Sequence, residues 1–328
     1  MEFELINRYF APLGKQLGLG EFSAEDLGIG DDGALITPPA NSQLVVVTDT
    51  SIAGVHFPVS THPFDIGWKA LATNISDLAA MGARPAFYSL ALTLEQYDQA
   101  WLNAFSAGLN AMMQSLPIDA SGASFPLIGG DTTRGPLSIT ITAHGWVERG
   151  QALLREGAKP GDGVFVSGQL GEGGLGLSLA LAGLQPRSVD ESLALAKLNR
   201  PEPRVALGRA LIGLASSAID ISDGLLADLN HILQVSNVGV DLSADRMPLS
   251  AAVKAWAGSD PLKPLNAGDD YELCFTLPLR YWSRIEQLSS QLGIKISHIG
   301  EITAELGCRL NGELLVPSKQ GFNHFARD

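Results

Sequence analysis

Short apolar runs that end in aspartate-bearing turns and lead into helical stretches recur along this chain, and that alternation restricts it to α/β architectures. Leu44-Val45-Val46-Val47 reads as a buried strand running directly into Thr48-Asp49-Thr50. Residues 65–81 follow as a helix, with Leu71, Ile75 and Leu78 on one face and Gly82 as its stop. Asn74 and Asp77 share another face of that helix. Residues 86–94 and 98–114 predict a second strand and helix, and residues 125–128 a short strand ending in Gly129-Gly130-Asp131. Residues 137–143 alternate with the period of two of a half-buried strand. The first 27 residues read as helical from Phe3, Ile6 and Phe10. Beyond the Lys159-Pro160-Gly161-Asp162-Gly163 turn the mixture continues, with strands at 164–167, 218–221, 271–277 and 294–302. Helices are predicted there at 174–184 and 205–215, and from Leu225 through Leu233.

A length of 328 residues exceeds what one compact core usually holds, so two domains are expected, 1–147 and 148–328. The net charge of -13 excludes general nucleic-acid affinity, which needs Lys and Arg to neutralise phosphates. Cys274 and Cys308 form no paired motif, which argues against a disulfide framework or zinc site and fits a reducing cytoplasm. Met1-Glu2-Phe3-Glu4 lacks the basic start of a signal peptide, and no run approaches the ~18 apolar residues of a membrane span. A soluble cytoplasmic protein is expected, with neither membrane nor nucleic acid as partner.

The chemistry is carried by the acidic turns. Gly28-Ile29-Gly30-Asp31-Asp32-Gly33 places two carboxylates where a phosphate loop would carry none, and aspartates recur at Asp49, Asp77, Asp131, Asp220 and Asp223. Each alone is an ordinary turn or helix-cap residue. As a set, at element ends beside Gly, Thr or Ser, they point to a hard cation such as Mg2+, which bridges carboxylates to substrate phosphates. No P-loop and no protein-kinase signature is present. Gly28-x-Gly30-x-x-Gly33 and Gly171-x-Gly173-x-x-Gly176 match the dinucleotide fingerprint; the second lies between a strand and a helix, with Asp190 near the ribose-contact distance. A nicotinamide-dependent oxidoreductase is therefore an alternative, and a non-catalytic nucleotide-binding regulator another. Lys69, Arg134 and Arg155 are candidate phosphate contacts, and His56 a candidate substrate contact. Gly268-Asp269-Asp270-Tyr271-Glu272-Leu273 is a further acidic turn, equally readable as the start of a strand.

These motifs occur in one order with Asn74–Gly82, Ile219–Gly224 and the terminal Gly321-Phe322-Asn323-His324-Phe325. The series resembles the thiamine-monophosphate kinase family, within the superfamily named for aminoimidazole ribonucleotide synthetase. The resemblance spans nearly the whole chain. It implies an α/β (α+β) fold of two domains with mixed sheets and flanking helices, and a homodimer joined through the N-terminal domains. It further implies ATP, several Mg2+ ions and thiamine monophosphate in a cleft that the C-terminal domain completes. By motif, Asp32, Thr48, Asp49, Asp77, Asp131, Asp220 and Asp223 match metal ligands. Gly130, Asp131, Arg155 and Ser222 match nucleotide contacts, and His56, Asp269 and Phe322 match thiamine contacts. No dedicated catalytic base is implied. Asp269 and Phe322 depart from the Glu and the Trp or Tyr common there, and Val47 replaces a frequent Ser. A superfamily enzyme with a different acceptor is the nearest alternative.

Overall fold

The computed structural model describes residues 2–14, 25–116 and 125–315. They divide into two compact units, Met1–Leu78 with Ala83–Ala152 and Ala79–Gly82 with Leu153–Asp328. The expected α/β class with mixed sheets is what forms.

Unit 1 opens with helical turns α1 (Glu2–Leu5), a π-turn at Ile6–Phe10 and α2 (Ala11–Gly14). Pro12 has no N–H to give, so a regular ladder cannot run through this point, and the Ala11 N–H bonds back to Ile6. The continuous helix expected to residue 27 is not found at its far end: Leu27 pairs with Leu35 through two backbone hydrogen bonds of 2.9 Å. The unit's sheet has the order β1-β4-β2-β3. It comprises β1 (Ser42–Ile52), β2 (Arg84–Leu94), β3 (Leu127–Arg134) and β4 (Ser138–Glu148), with only the β2–β3 pair parallel. Helices α3 (Pro63–Ala80) and α4 (Gln99–Ser115) bring Leu71, Ile75, Leu78, Leu102, Phe105 and Leu109 into the core. Asp98 caps α4 by accepting from the Ala100 and Trp101 N–H groups. β4 buries Ile139, Ile141 and Ala143 and leaves Thr140, Thr142 and His144 on the other face, as its period of two requires.

Gly129-Gly130-Asp131 is not a terminal turn but lies inside β3, paired with Ser89, Leu90 and Ala91 of β2. The strand does not end there because Gly130 serves close approach and not a turn: a Cβ at Gly130 would lie 1.8 Å from the Leu90 carbonyl oxygen.

Unit 2 is built on a seven-stranded sheet, order β11-β10-β7-β9-β5-β8-β6. Its strands are β5 (Asp162–Ser167), β6 (Ser217–Asp220), β7 (Gly239–Leu242), β8 (Leu273–Pro278), β9 (Ile296–Thr303), β10 (Gly307–Leu310) and β11 (Glu313–Leu314). All neighbours are antiparallel except β7 and β10. Its helices are α5 (Glu172–Leu181), α6 (Val189–Asn199), α7 (Val205–Ala210), α8 (Leu225–Ser236), α9 (Ala251–Ala257) and α10 (Trp282–Leu292). Alternation along β5 sends Val164 and Val166 to a core with Leu225, Leu229 and Ile232 of α8. It sends Phe165 to the opposite core with Leu207 of α7, Phe275 of β8 and Ile285 of α10. Both faces are covered, so β5 is buried throughout, with Val164, Phe165 and Val166 as its apolar centre.

Candidate functional site

In unit 1 the acidic positions are spread over the 28–33 loop, β1, α3 and β3. β1 and β3 form opposite edges of the sheet, so Asp49 and Asp131 are not brought together within it. Adjacent strand residues face opposite ways, so Thr48 and Asp49 project from opposite faces of β1. The Thr48 hydroxyl lies 3.0 Å from the Thr142 hydroxyl on the exposed face. Asp49 instead meets α3. Its backbone N–H donates to Asn74 Oδ1 at 3.2 Å, and the fully buried Asn74 donates its own amide to the Ala70 carbonyl. Burial pushes the Asp49 carboxyl up, partly offset by a hydrogen bond from Thr73 and by the nearby His56. Asp77, one helical turn beyond Asn74, is half-buried. Asp31, Asp32 and Asp131 are exposed, and Asp31 Oδ1 accepts from the Asp32 N–H at 2.9 Å. In the turn after β1, His56 Nδ1 accepts from the Ile52 N–H at 3.0 Å, which places the neutral ring's proton on Nε2.

In unit 2, Asp220 ends β6 and is buried, Ser222 is half-buried and Asp223 is exposed. The N–H groups of Ser222, Asp223 and Gly224 all converge on Asp228 Oδ2 at 3.0–3.1 Å. Asp228 escaped the sequence reading; an acid in the first turn of a helix that follows a glycine was its only signal. Burial, then the charges of Asp220 and Asp223, raise its carboxyl to about 7, against the pull of those backbone donors.

The Gly268–Glu272 turn is laced to the same strand end. Asp269 N–H donates to the Ser222 carbonyl at 2.8 Å, Tyr271 N–H to Ile221 at 2.7 Å, and Ile221 N–H to Glu272 at 2.8 Å. The second glycine fingerprint is then explained without a nucleotide. Asp270 accepts from the Gly171 and Gly173 N–H groups at 2.6 and 3.0 Å, filling the helix N-terminus where a pyrophosphate would sit. A Cβ at Gly173 would lie 2.3 Å from the Asp269 carbonyl oxygen, so the loop's glycines are required by this packing.

Of the basic candidates, Arg134 Nε donates to the Glu95 carbonyl at 3.2 Å, Lys69 is buried and Arg155 is exposed. Phe322 lies outside the described residues. A cavity of 510 Å³ in unit 2 is lined by Lys159, Asp162, Ser216, Arg280 and Tyr281 among others, and by none of the candidate residues.

Among the described residues no three His, Cys, Asp or Glu side chains come close enough together to hold an ion by themselves. Mg2+ does not need such a cage, since it keeps several waters and takes one or two carboxylates together with substrate phosphates. The all-oxygen donors and the mutual repulsion at Asp220, Asp223 and Asp228 fit a hard cation.

Residues 30–147 match the AIR synthase related protein N-terminal domain, and residues 159–312 the corresponding C-terminal domain. Thiamine-monophosphate kinase of Escherichia coli strain K12 is 42% identical over 331 residues, covering 99% of this chain and 98% of that protein. The chain belongs to the thiamine-monophosphate kinase family. A solved thiamine-monophosphate kinase from Stenotrophomonas maltophilia K279a superposes with a TM-score of 0.81 at 46% identity, over 89% of this chain and 93% of that one. The solved AaThiL complexed with AMPPCP and TMP superposes with a TM-score of 0.76 at 30% identity, over 90% and 92%. Thiamine-monophosphate kinases thus share both domains with this chain, and no helix among its described residues is long and apolar enough to cross a membrane.

Proposed function

We propose that the protein phosphorylates thiamine monophosphate to thiamine diphosphate with ATP, by direct in-line transfer. The observation that carries this reading is the end-to-end likeness to thiamine-monophosphate kinases, one of them solved with AMPPCP, an ATP analogue, and TMP. The acceptor is already a phosphate, ionised near neutral pH, so its oxygen attacks the γ-phosphorus without a strong base while the bond to the β-phosphate oxygen breaks and ADP leaves. What remains is positioning and charge stabilisation.

In this reading Asp32, Asp49, Asp77 and Asp131 of unit 1, and Asp220 and Asp223 of unit 2, hold Mg2+. Thr48, whose hydroxyl projects from the opposite face of β1 from Asp49, adds only its backbone carbonyl. Bound Mg2+ supplies the positive charge that lets two anionic reactants approach. Gly130, Asp131, Arg155 and Ser222 contact the nucleotide. His56, Asp269 and Phe322 contact the thiamine moiety, whose cationic ring suits a carboxylate and an aromatic face.

A homodimer is part of the proposal. Leu44, Val46 and Ile52 are 45%, 55% and 41% exposed on the face of β1 that also carries Thr48 and Thr50, and exposed apolar side chains on a sheet face of this kind support an interaction surface. Val46→Glu should convert a dimer to a monomer of 34.6 kDa by light scattering, and a parent already monomeric would refute the dimer. A cytoplasmic location belongs to the same reading, supported by Cys274 and Cys308 both being free.

Incubation of the purified protein with ATP, MgCl2 and thiamine monophosphate, with products identified by mass, tests the activity. Equal amounts of ADP and thiamine diphosphate are expected. ADP formed without dependence on thiamine monophosphate would shift the assignment to another acceptor.

A further inference from the structure

Glu272 is completely buried, yet both its oxygens are fully engaged. Oε1 accepts from Lys197 Nζ at 2.5 Å and Arg204 Nη2 at 2.7 Å; Oε2 accepts from Ser167 Oγ at 2.5 Å and Arg204 Nε at 2.7 Å. Gly168 leaves the space, since a Cβ there would lie 2.0 Å from Oε1. One carboxylate thereby ties together the end of β5, α6 and the start of α7. Two residues earlier, Asp270 is anchored just as firmly by the Gly171 and Gly173 N–H groups.

Between and beside these anchors, Asp269 and Tyr271 are half-buried and have left-handed backbones, φ +66° and +49°. A bulky residue with positive φ is an outlier that persists only where its surroundings over-determine it. Here they do: the Asp269 and Tyr271 N–H groups are both spent on the β6 end, and the Asp270 and Glu272 side chains are both locked inward. The outcome is that the Tyr271 hydroxyl reaches back over one residue to donate to Asp269 Oδ1 at 3.2 Å.

We propose that Tyr271 is a positioning residue that aims the Asp269 carboxylate at the cationic ring of the acceptor, and that the Ser167–Lys197–Arg204 clamp on Glu272 holds this pair in its left-handed turn. The inference rests on the proposed kinase activity and adds to it a residue pair that sets affinity for thiamine monophosphate and not for ATP.

Tyr271→Phe keeps the ring and removes only the hydroxyl. It should raise KM for thiamine monophosphate about tenfold, the scale of one hydrogen bond to a charged group, with KM for ATP, kcat and melting temperature unchanged. Glu272→Gln should raise the same KM and lower the melting temperature, and Glu272→Asp should recover neither because the shorter chain cannot span the clamp. If Glu272→Gln fails to fold, Tyr271→Phe alone decides. An unchanged KM for thiamine monophosphate in Tyr271→Phe, or an equal rise for both substrates, overturns the inference while leaving the activity standing. A parent that makes no thiamine diphosphate overturns the activity and this inference with it.

Discussion

In unit 1 the acidic candidates stand on exposed or half-buried strand, helix and loop positions, with Asp32 and Asp131 open to solvent. In unit 2 acids are packed inward: Asp228, Asp270 and Glu272 are 4%, 1% and 0% exposed, each held by several donors. The two units therefore use the same residue types for different ends. Unit 1 offers carboxylates at exposed or half-buried positions, whereas unit 2 uses buried carboxylates to fix the chain around the candidate ligands Asp220, Ser222, Asp223 and Asp269.

The largest effect should come from unit 1. Asp49→Ala or Asp77→Ala is expected to lower kcat by about 10³-fold or more, the scale of losing a charge-stabilising group in phosphoryl transfer. Melting should shift by no more than about 2 °C, because burial disfavours the Asp49 charge and its removal relieves that cost. Near-normal turnover in either variant would remove the metal assignment from unit 1. Substantial unfolding would erase the contrast between the units.

Arg204→Met reverses the expectation. It leaves Glu272 buried with Lys197 as its remaining cation, and breaking a buried pair from one side costs about 3–5 kcal/mol. Urea unfolding should show that loss. A change below about 1 kcal/mol, the range of exposed pairs, would mean the clamp contributes little.

This contrast also explains what the amino-acid order disclosed. Helix α3 with its Asn74 and Asp77 was legible because apolar periodicity and a glycine stop are local signals. β1 differs from expectation: it runs on through Thr48-Asp49-Thr50 to Ile52 and leaves Leu44 and Val46 exposed where a buried run ending in a turn was expected. The clamp was not legible, since Lys197 and Glu272 lie 75 positions apart and neither sits in a motif that announces the other. Helix α6, which carries Lys197, was missed entirely: Val189 and Leu193 are exposed, so its apolar residues do not mark one buried face. The Gly171–Gly176 fingerprint misled for a related reason. Glycine permits close approach of any backbone, and here the approaching group is the Pro264–Asp270 segment, with Asp270 in the place of a phosphate.

The smallest effect isolates Asp270. Burial, opposed by Lys197 and the two glycine N–H groups, raises its carboxyl from an ordinary 3.8 to about 7. Between those values the folded protein holds a proton that the unfolded chain has released. Stability therefore falls as pH rises through this window and levels off above about 7. Asp270→Asn cannot titrate, yet its amide oxygen still accepts from one glycine N–H. Unfolding free energies measured from pH 5 to pH 8 in EDTA should decline more steeply for the parent than for the variant, by on the order of 2–3 kcal/mol across the range. Asp228, also raised to about 7, is present in both proteins and drops out of the difference. Glu272 is held below the usual carboxylate range because Lys197 and Arg204 outweigh its burial, so it stays charged throughout and does not blur the result. Parallel pH curves would show that Asp270 is charged in the folded state, which would make the glycine N–H groups strong enough to offset its burial.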